Sequence, residues 1–149
     1  MPSVKFMNLA FEAAKTAGDR GEVPIGAVIV SAAGRVLAAD GNRSVELRDP
    51  TAHAEMLVIR EAAGGVGNGR LEDCDIFVTL EPCAMCAAAI SFARIRRVFF
   101  GAYDPKGGGV DHGARVFDHP TCHHRPEVIG GVMEAEAARL LRQFFTERR

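Results

Sequence analysis

The run Leu80-Glu-Pro-Cys-Ala-Met-Cys86 and the triplet His53-Ala-Glu55 hold the residue types best suited, in this chain, to grip a metal ion and move a proton. Cys83 and Cys86, three apart, fall on one face of a helical turn, and Pro82 is placed to start that helix. His53 offers a third donor from a segment, 51–63, that also reads as the opening of a helix. In mid-helix His53 and Glu55 would point about 200° apart. The ion is therefore expected off the helix end, where free N–H groups and two positive dipole ends favour thiolate, hydroxide and developing negative charge.

One imidazole and two thiolates make three protein ligands, which for zinc leaves the fourth position to water. Such a set carries no net charge with the ion, so it acidifies the water less than an all-histidine site does. A separate base is needed. Glu55, beside a ligand without being one, is assigned to take the proton from water and hand it to the substrate. The competing reading is a structural zinc closed by Cys74, Cys122 or one of His119, His123 and His124. Cys74 and Cys122 are instead expected to be ordinary buried or loop cysteines.

The chain that must position these groups has 149 residues, 48% hydrophobic and 25% charged, which suits a single domain over 1–149 whose core needs no disulfides. Its four cysteines, with no signal-peptide pattern, are expected to be reduced thiols of a cytoplasmic protein. No window reaches the ~20 apolar residues of a membrane span. Net charge is −4 over the first ninety residues and +3 over the rest, so a polyanionic partner would meet the second half.

Ser3 is read as the cap of a first helix, with Val4, Met7, Phe11 and Ala14 in step until Gly18 ends it. Residues 25–30 read as an apolar strand, Ala32-Ala33-Gly34 as a hairpin turn and 35–39 as the returning strand, with Asn42 just beyond. A polar loop, 43–50, leads to the His53 helix. The glycines at 64, 65, 67 and 69 then form a connector, since no Gly-Lys-Ser/Thr completes a phosphate loop. Residues 75–80 read as a buried strand feeding the cysteine helix, which runs to about Ala93; 97–103 is the next strand, 104–109 a mobile turn and 114–117 a short helix. An amphipathic helix spans 132–148. The alternation gives a three-layer α/β/α domain around one mixed sheet.

Glu22-Val-Pro-Ile-Gly-Ala, Asn42-Arg43, Asp49-Pro-Thr-Ala-His-Ala-Glu, Thr79-Leu-Glu-Pro-Cys-Ala-Met-Cys, Phe100-Gly-Ala and His124-Arg125 with Glu127 resemble, in order and spacing, the bacterial tRNA-specific adenosine deaminase family. His-x-Glu followed by Pro-Cys-x-x-Cys is the signature of zinc-dependent nucleobase deaminases at large. The resemblance covers nearly the whole chain. It implies a cytidine-deaminase-like α/β fold with a central mixed five-stranded sheet and one zinc per subunit. It further implies hydrolytic deamination of adenosine to inosine at the wobble position of a tRNA anticodon loop, zinc-bound hydroxide attacking C6 while Glu55 shuttles protons.

By the same resemblance Asn42, the Ala54 backbone N–H and the Glu81 carbonyl bind the base between walls of Val23 and Pro24. Asp104, Lys106, His119 and Arg125 meet the RNA strand. Phe145, with Phe144, Arg148 and Arg149, is a further candidate for stacking. The family pairs as homodimers that build the RNA site across both subunits. This chain departs from the family at Gly41, where tryptophan is common, and at Ala88, where a glycine is usual. Tyr103 stands in place of an arginine and His123 in place of an asparagine. None of these touches the zinc; Tyr103 and His123 bear on the RNA contacts. Two other readings stand beside this one: a zinc deaminase of a free base or nucleoside such as guanine or cytosine, and a non-catalytic zinc-stabilised RNA-binding module.

Overall fold

The computed structural model describes residues 2–147, so the basic pair Arg148 and Arg149 lies outside the described residues. Helix α1 (Pro2–Asp19) leads into β1 (Gly26–Val30) and β2 (Val36–Gly41), followed by α2 (Ala54–Gly64), β3 (Asp75–Leu80), α3 (Ala84–Phe92), β4 (Arg97–Ala102), β5 (Glu127–Ile129) and α4 (Glu134–Glu147). These strands form one mixed sheet in the order β2-β1-β3-β4-β5. Strand β1 is antiparallel to both β2 and β3, whereas β3, β4 and β5 run parallel.

Alternation along the strands divides the core into two layers. Ala27, Ile29, Ile76, Val78, Val98 and Phe100 face α2 and α3, whose Val58, Ala62, Ala87 and Ile90 pack against them. Val28, Val30, Phe77 and Phe99 point the other way, onto Phe6, Met7, Ala10 and Phe11 of α1 and Ala137 of α4. The three-layer reading of the sequence is what the residues build. No helix among the described residues is long and apolar enough to cross a membrane.

The α1 layer sits close to the sheet because two glycines, paired in register across β1 and β2 as Gly26 and Gly41, present no side chain to it. A Cβ on Gly26 would lie 2.0 Å from the Ala10 carbonyl oxygen and 2.5 Å from the Ala14 nitrogen, and one on Gly41 would lie 2.5 Å from the Ala13 carbonyl oxygen. Gly41 is thus fixed by α1, which in this chain leaves no room for tryptophan.

Several boundaries differ from the sequence reading. Helix α1 begins at Pro2, so Ser3 lies inside the first turn instead of capping it, and Gly18 is helical; a proline at the start fits a position whose N–H has no intrahelical partner. The edge strand β5, three residues with Glu127 exposed and Val128 and Ile129 half-buried, carries no sequence period. The short helix near 114–117 is a 3-10 turn over Val116–Asp118. Residues 104–109 are pinned, not mobile: the Asp104 carboxylate accepts the N–H groups of Lys106 and Gly107, and Gly109 N–H donates to the Pro82 carbonyl at 2.8 Å.

Adding the Gly26 methyl should force α1 off the sheet. Urea unfolding of Gly26→Ala should show a loss of about 2 kcal/mol or more. Gly64→Ala, where nothing lies within 4 Å of the new Cβ, should leave stability unchanged or raise it by up to about 1 kcal/mol. Equal midpoints for the two variants would refute the close seating of α1.

Candidate active site

Both helices of the α2/α3 layer begin at a candidate ligand. His53 is the N-cap residue of α2 and Cys83 that of α3, both in extended conformation, and neither side chain caps its own helix. Their side chains are turned toward each other instead. The His53 Nδ1 stands 3.6 Å from the Sγ of Cys83 and 3.6 Å from that of Cys86, and the three donor atoms lie within 4.8 Å of one another. A tetrahedral zinc with Zn–S of about 2.3 Å and Zn–N of about 2.0 Å has an N–S edge of roughly 3.5 Å, so the spacing fits that ion.

No fourth His, Cys, Asp or Glu among the described residues joins the cluster. Cys74 is buried against Ile95, Ile76 and their neighbours in the α2/α3 core layer. Cys122 and His124 belong to a separate polar knot: the Ser91 hydroxyl donates to the His124 carbonyl at 2.7 Å and touches the Cys122 Sγ at 3.5 Å, and His124 Nε2 meets the Ile95 carbonyl at 2.7 Å. All four cysteines are free. Pro82 precedes the α3 cap instead of opening the helix, because its carbonyl is taken by the Gly109 N–H.

The charges are arranged for a proton transfer. Burial pushes the Glu55 carboxyl up to about 7, and its side chain reaches Cys86. A hydrogen bond from Cys86, reinforced by His53, holds the Cys83 thiol down to about 4, while that same bond and burial hold Cys86 up. The shared hydrogen bond with Cys83 raises His53. The pair therefore favours one thiolate facing an imidazole at two helix N-termini, which stabilise negative charge.

Main-chain bonds gather the proposed base pocket around this point. Asn42 N–H donates to the Ile25 carbonyl, next to Val23 and Pro24, and Arg43 N–H donates to the Ala52 carbonyl, next to His53. Asn42 is 6% exposed, and its Oδ1 is buried with no hydrogen-bond partner. An orphaned polar atom costs about 1–3 kcal/mol, which a ligand donor would recover. Ala54 N–H is the first of α2 and has no intrahelical acceptor.

The remaining candidates are placed less centrally. Lys106 is exposed, and the Asp104 carboxylate is occupied by its own loop. His119 Nε2 sits 2.6 Å from the Ala114 carbonyl and Arg125 reaches the His119 carbonyl at 3.4 Å, both side chains exposed on the rim beside α3. Phe145 lies in the opposite layer, 52% exposed, edge-on to Phe144. Sequence reasoning gave no role to two buried side chains that frame the site. Glu22 accepts the N–H groups of Val45 and Glu46 at 3.1 and 2.8 Å, fixing the loop after Asn42. Glu81 does the same for the loop after β4; burial opposes its charge, yet donors led by the Asp104 N–H hold its carboxyl below the ordinary value. For Glu81 an acid inside the apolar run 76–84 is the signal that could have found it; Glu22, which follows Asp19-Arg20-Gly21, carries no such signal.

Residues 2–102 match the cytidine and deoxycytidylate deaminase zinc-binding region. The chain is 60% identical over 144 residues to the tRNA-specific adenosine deaminase of Agrobacterium fabrum, spanning 97% of this chain and 94% of the relative. A solved structure from studies of A-to-I editing by tRNA:A34 deaminases superposes with a TM-score of 0.89 at 59% identity, over 92% of this chain and 99% of that one. The guanine deaminase from Nitrosomonas europaea, at 22% identity and a TM-score of 0.77 over 96% of this chain and 84% of its own, shares the fold.

Metal analysis of purified variants checks the ligand set. His53→Ala, Cys83→Ser and Cys86→Ser should each lose nearly all zinc, whereas Cys74→Ser and Cys122→Ser should keep the parent's content; zinc lost from either of the latter would point to a closed structural site.

Proposed function

From a chain that belongs to the tRNA-specific adenosine deaminases, within the cytidine and deoxycytidylate deaminase family, we propose an enzyme that converts adenosine to inosine at the wobble position of a tRNA anticodon loop. Water adds at C6 of the base and the amino group leaves as ammonia. The observation that carries the reading is a three-donor cluster, without a fourth side chain among the described residues, next to the buried Glu55 carboxyl. His53, Cys83 and Cys86 would hold one zinc per subunit. When bound, zinc supplies the positive charge that lets water act as a nucleophile near neutral pH.

Glu55 does the proton work: it accepts a proton from the attacking water and delivers protons to the ring nitrogen and the departing amino group. A carboxyl raised by burial to about 7 can carry a proton in both directions. Asn42 Oδ1 and the free Ala54 N–H read the edge of the base, with Pro24 and Val23 as walls. Lys106, Asp104, His119 and Arg125 meet the flanking strand. Anticodon-loop bases are already splayed, so extruding one into a pocket costs less than from a duplex. The thiol ligands suit a reducing compartment, and the cytoplasm is where this reaction is placed.

A second subunit completes the proposal. Phe92 of α3 is 72% exposed, beside a cleft lined by Ala88, Val116 and Thr121. An apolar ring so exposed, at the end of the helix that carries Cys83 and Cys86, supports pairing of two copies there. Sedimentation should give twice the chain mass, and Phe92→Asp should give the single-chain mass; a parent that sediments as a monomer would remove the pairing.

Zinc-loaded protein incubated with an anticodon stem-loop carrying adenosine at the wobble position should yield inosine and ammonia. Glu55→Gln should retain zinc and lose about 10²–10⁴-fold in kcat. Asn42→Ala should raise KM about tenfold without lowering stability, because it removes a buried orphan. Guanine or cytosine deaminated while the stem-loop is left intact would replace this substrate with a free base.

A further inference from the structure

Outside the metal cluster and the base pocket, the most heavily bonded side chain near the site is Glu81, whose side chain has no solvent exposure. Its Oε2 accepts the N–H groups of Val110, Asp111 and His112 at 3.2, 2.9 and 3.1 Å, and its Oε1 accepts the Asp104 N–H at 3.0 Å and meets His112 Nδ1 at 2.8 Å. One carboxylate thus holds both ends of the 104–112 loop. The loop is closely seated: a Cβ on Gly108 would lie 2.4 Å from Oε2, and one on Gly109 would lie 2.4 Å from the Ala84 nitrogen, against the start of α3, so neither position has room for a side chain. A buried carboxylate left without these donors would carry a large desolvation cost, so charge and loop conformation require each other.

We infer that Glu81 is a positioning residue for the RNA strand: its carboxylate sets the 104–112 loop, seated against the start of α3 at Gly109, so that Asp104 and Lys106 stand at a fixed place on it. The inference rests on the proposed reading of that loop as RNA-facing. Glu81, Pro82 and Cys83 are consecutive, so one short segment fixes the loop through a side chain and the metal through the next-but-one. Asp104 directs its own carboxylate back to the Lys106 and Gly107 N–H groups, which leaves the Lys106 ammonium as the group projected outward from an otherwise internally bonded turn.

The test uses full-length, zinc-loaded protein and the adenosine stem-loop. Glu81→Gln keeps the shape but puts an amide NH₂ where backbone donors converge; zinc content should match the parent, KM should rise about tenfold and kcat should stay within about threefold. Lys106→Ala should raise KM in the parent and add little in the Glu81→Gln background. If Glu81→Gln does not fold, His112→Ala, which removes one of the five donors, should show the same KM-selective loss at smaller size. A parent indifferent to Lys106→Ala overturns the RNA-facing reading of the loop and this inference with it. A parent that depends on Lys106, with KM unchanged in the Glu81 and His112 variants or with fully additive losses, overturns the positioning role alone.

Discussion

Two helix N-termini, those of α2 and α3, converge on one point, and everything else in the site follows from what can be placed there. Converging N-termini bring together unpaired N–H groups and two positive dipole ends, an arrangement that is unfavourable unless negative charge lies between them. The chain meets that requirement with sulfur. His53 and Cys83 occupy the cap positions yet their side chains accept no N–H from their own helices, with Cys86 one turn on, so their ligand atoms are free for an ion. The same field that stabilises thiolate stabilises the negative charge that develops when water adds to a purine. Glu55, one residue past the α2 start and 4% exposed, has its carboxyl raised by burial in spite of that field, and the raised value suits it to carry protons both ways.

The sheet and the loops hold this convergence steady. Strands β2 and β3, both antiparallel to β1, run the same way, so the chain leaves both at the same edge of the sheet on its way into α2 and α3. Glycines at 26 and 41 let α1 seat directly on the opposite face of the sheet. Buried carboxylates then fix the two loops that flank the pocket: Glu22 fixes the one after Asn42, and Glu81 the one after β4. In both cases a side chain far away in sequence receives main-chain N–H groups that no helix or strand claims, which is why irregular segments next to the site are ordered.

What was legible in the sequence was chemistry with short-range spacing. Cys83 and Cys86 lie within one turn and His53 beside Glu55, so ligand and acid types, the two helices that begin there and the need for a base were all readable. The alternating strands and the three layers followed from apolar runs. What could not be read depended on partners distant in sequence. Pro82 was expected to open α3, but a tertiary bond from Gly109 uses its carbonyl and moves the helix start to Ala84. Gly107-Gly108-Gly109 suggested mobility, yet Gly108 and Gly109 are small because the Glu81 carboxylate and the Ala84 backbone fill the space a side chain would need. The strand β5 is a three-residue edge without period, visible only once β4 is there to pair with it.

X-ray absorption at the zinc edge of the resting, substrate-free enzyme tests the central claim most directly. The account predicts two sulfurs at about 2.3 Å, one imidazole nitrogen at about 2.0 Å and a fourth, light oxygen scatterer that is lost or shifted when a stem-loop substrate analogue is added. A third sulfur, a second imidazole, or a carboxylate oxygen that disappears in Glu55→Gln would contradict it.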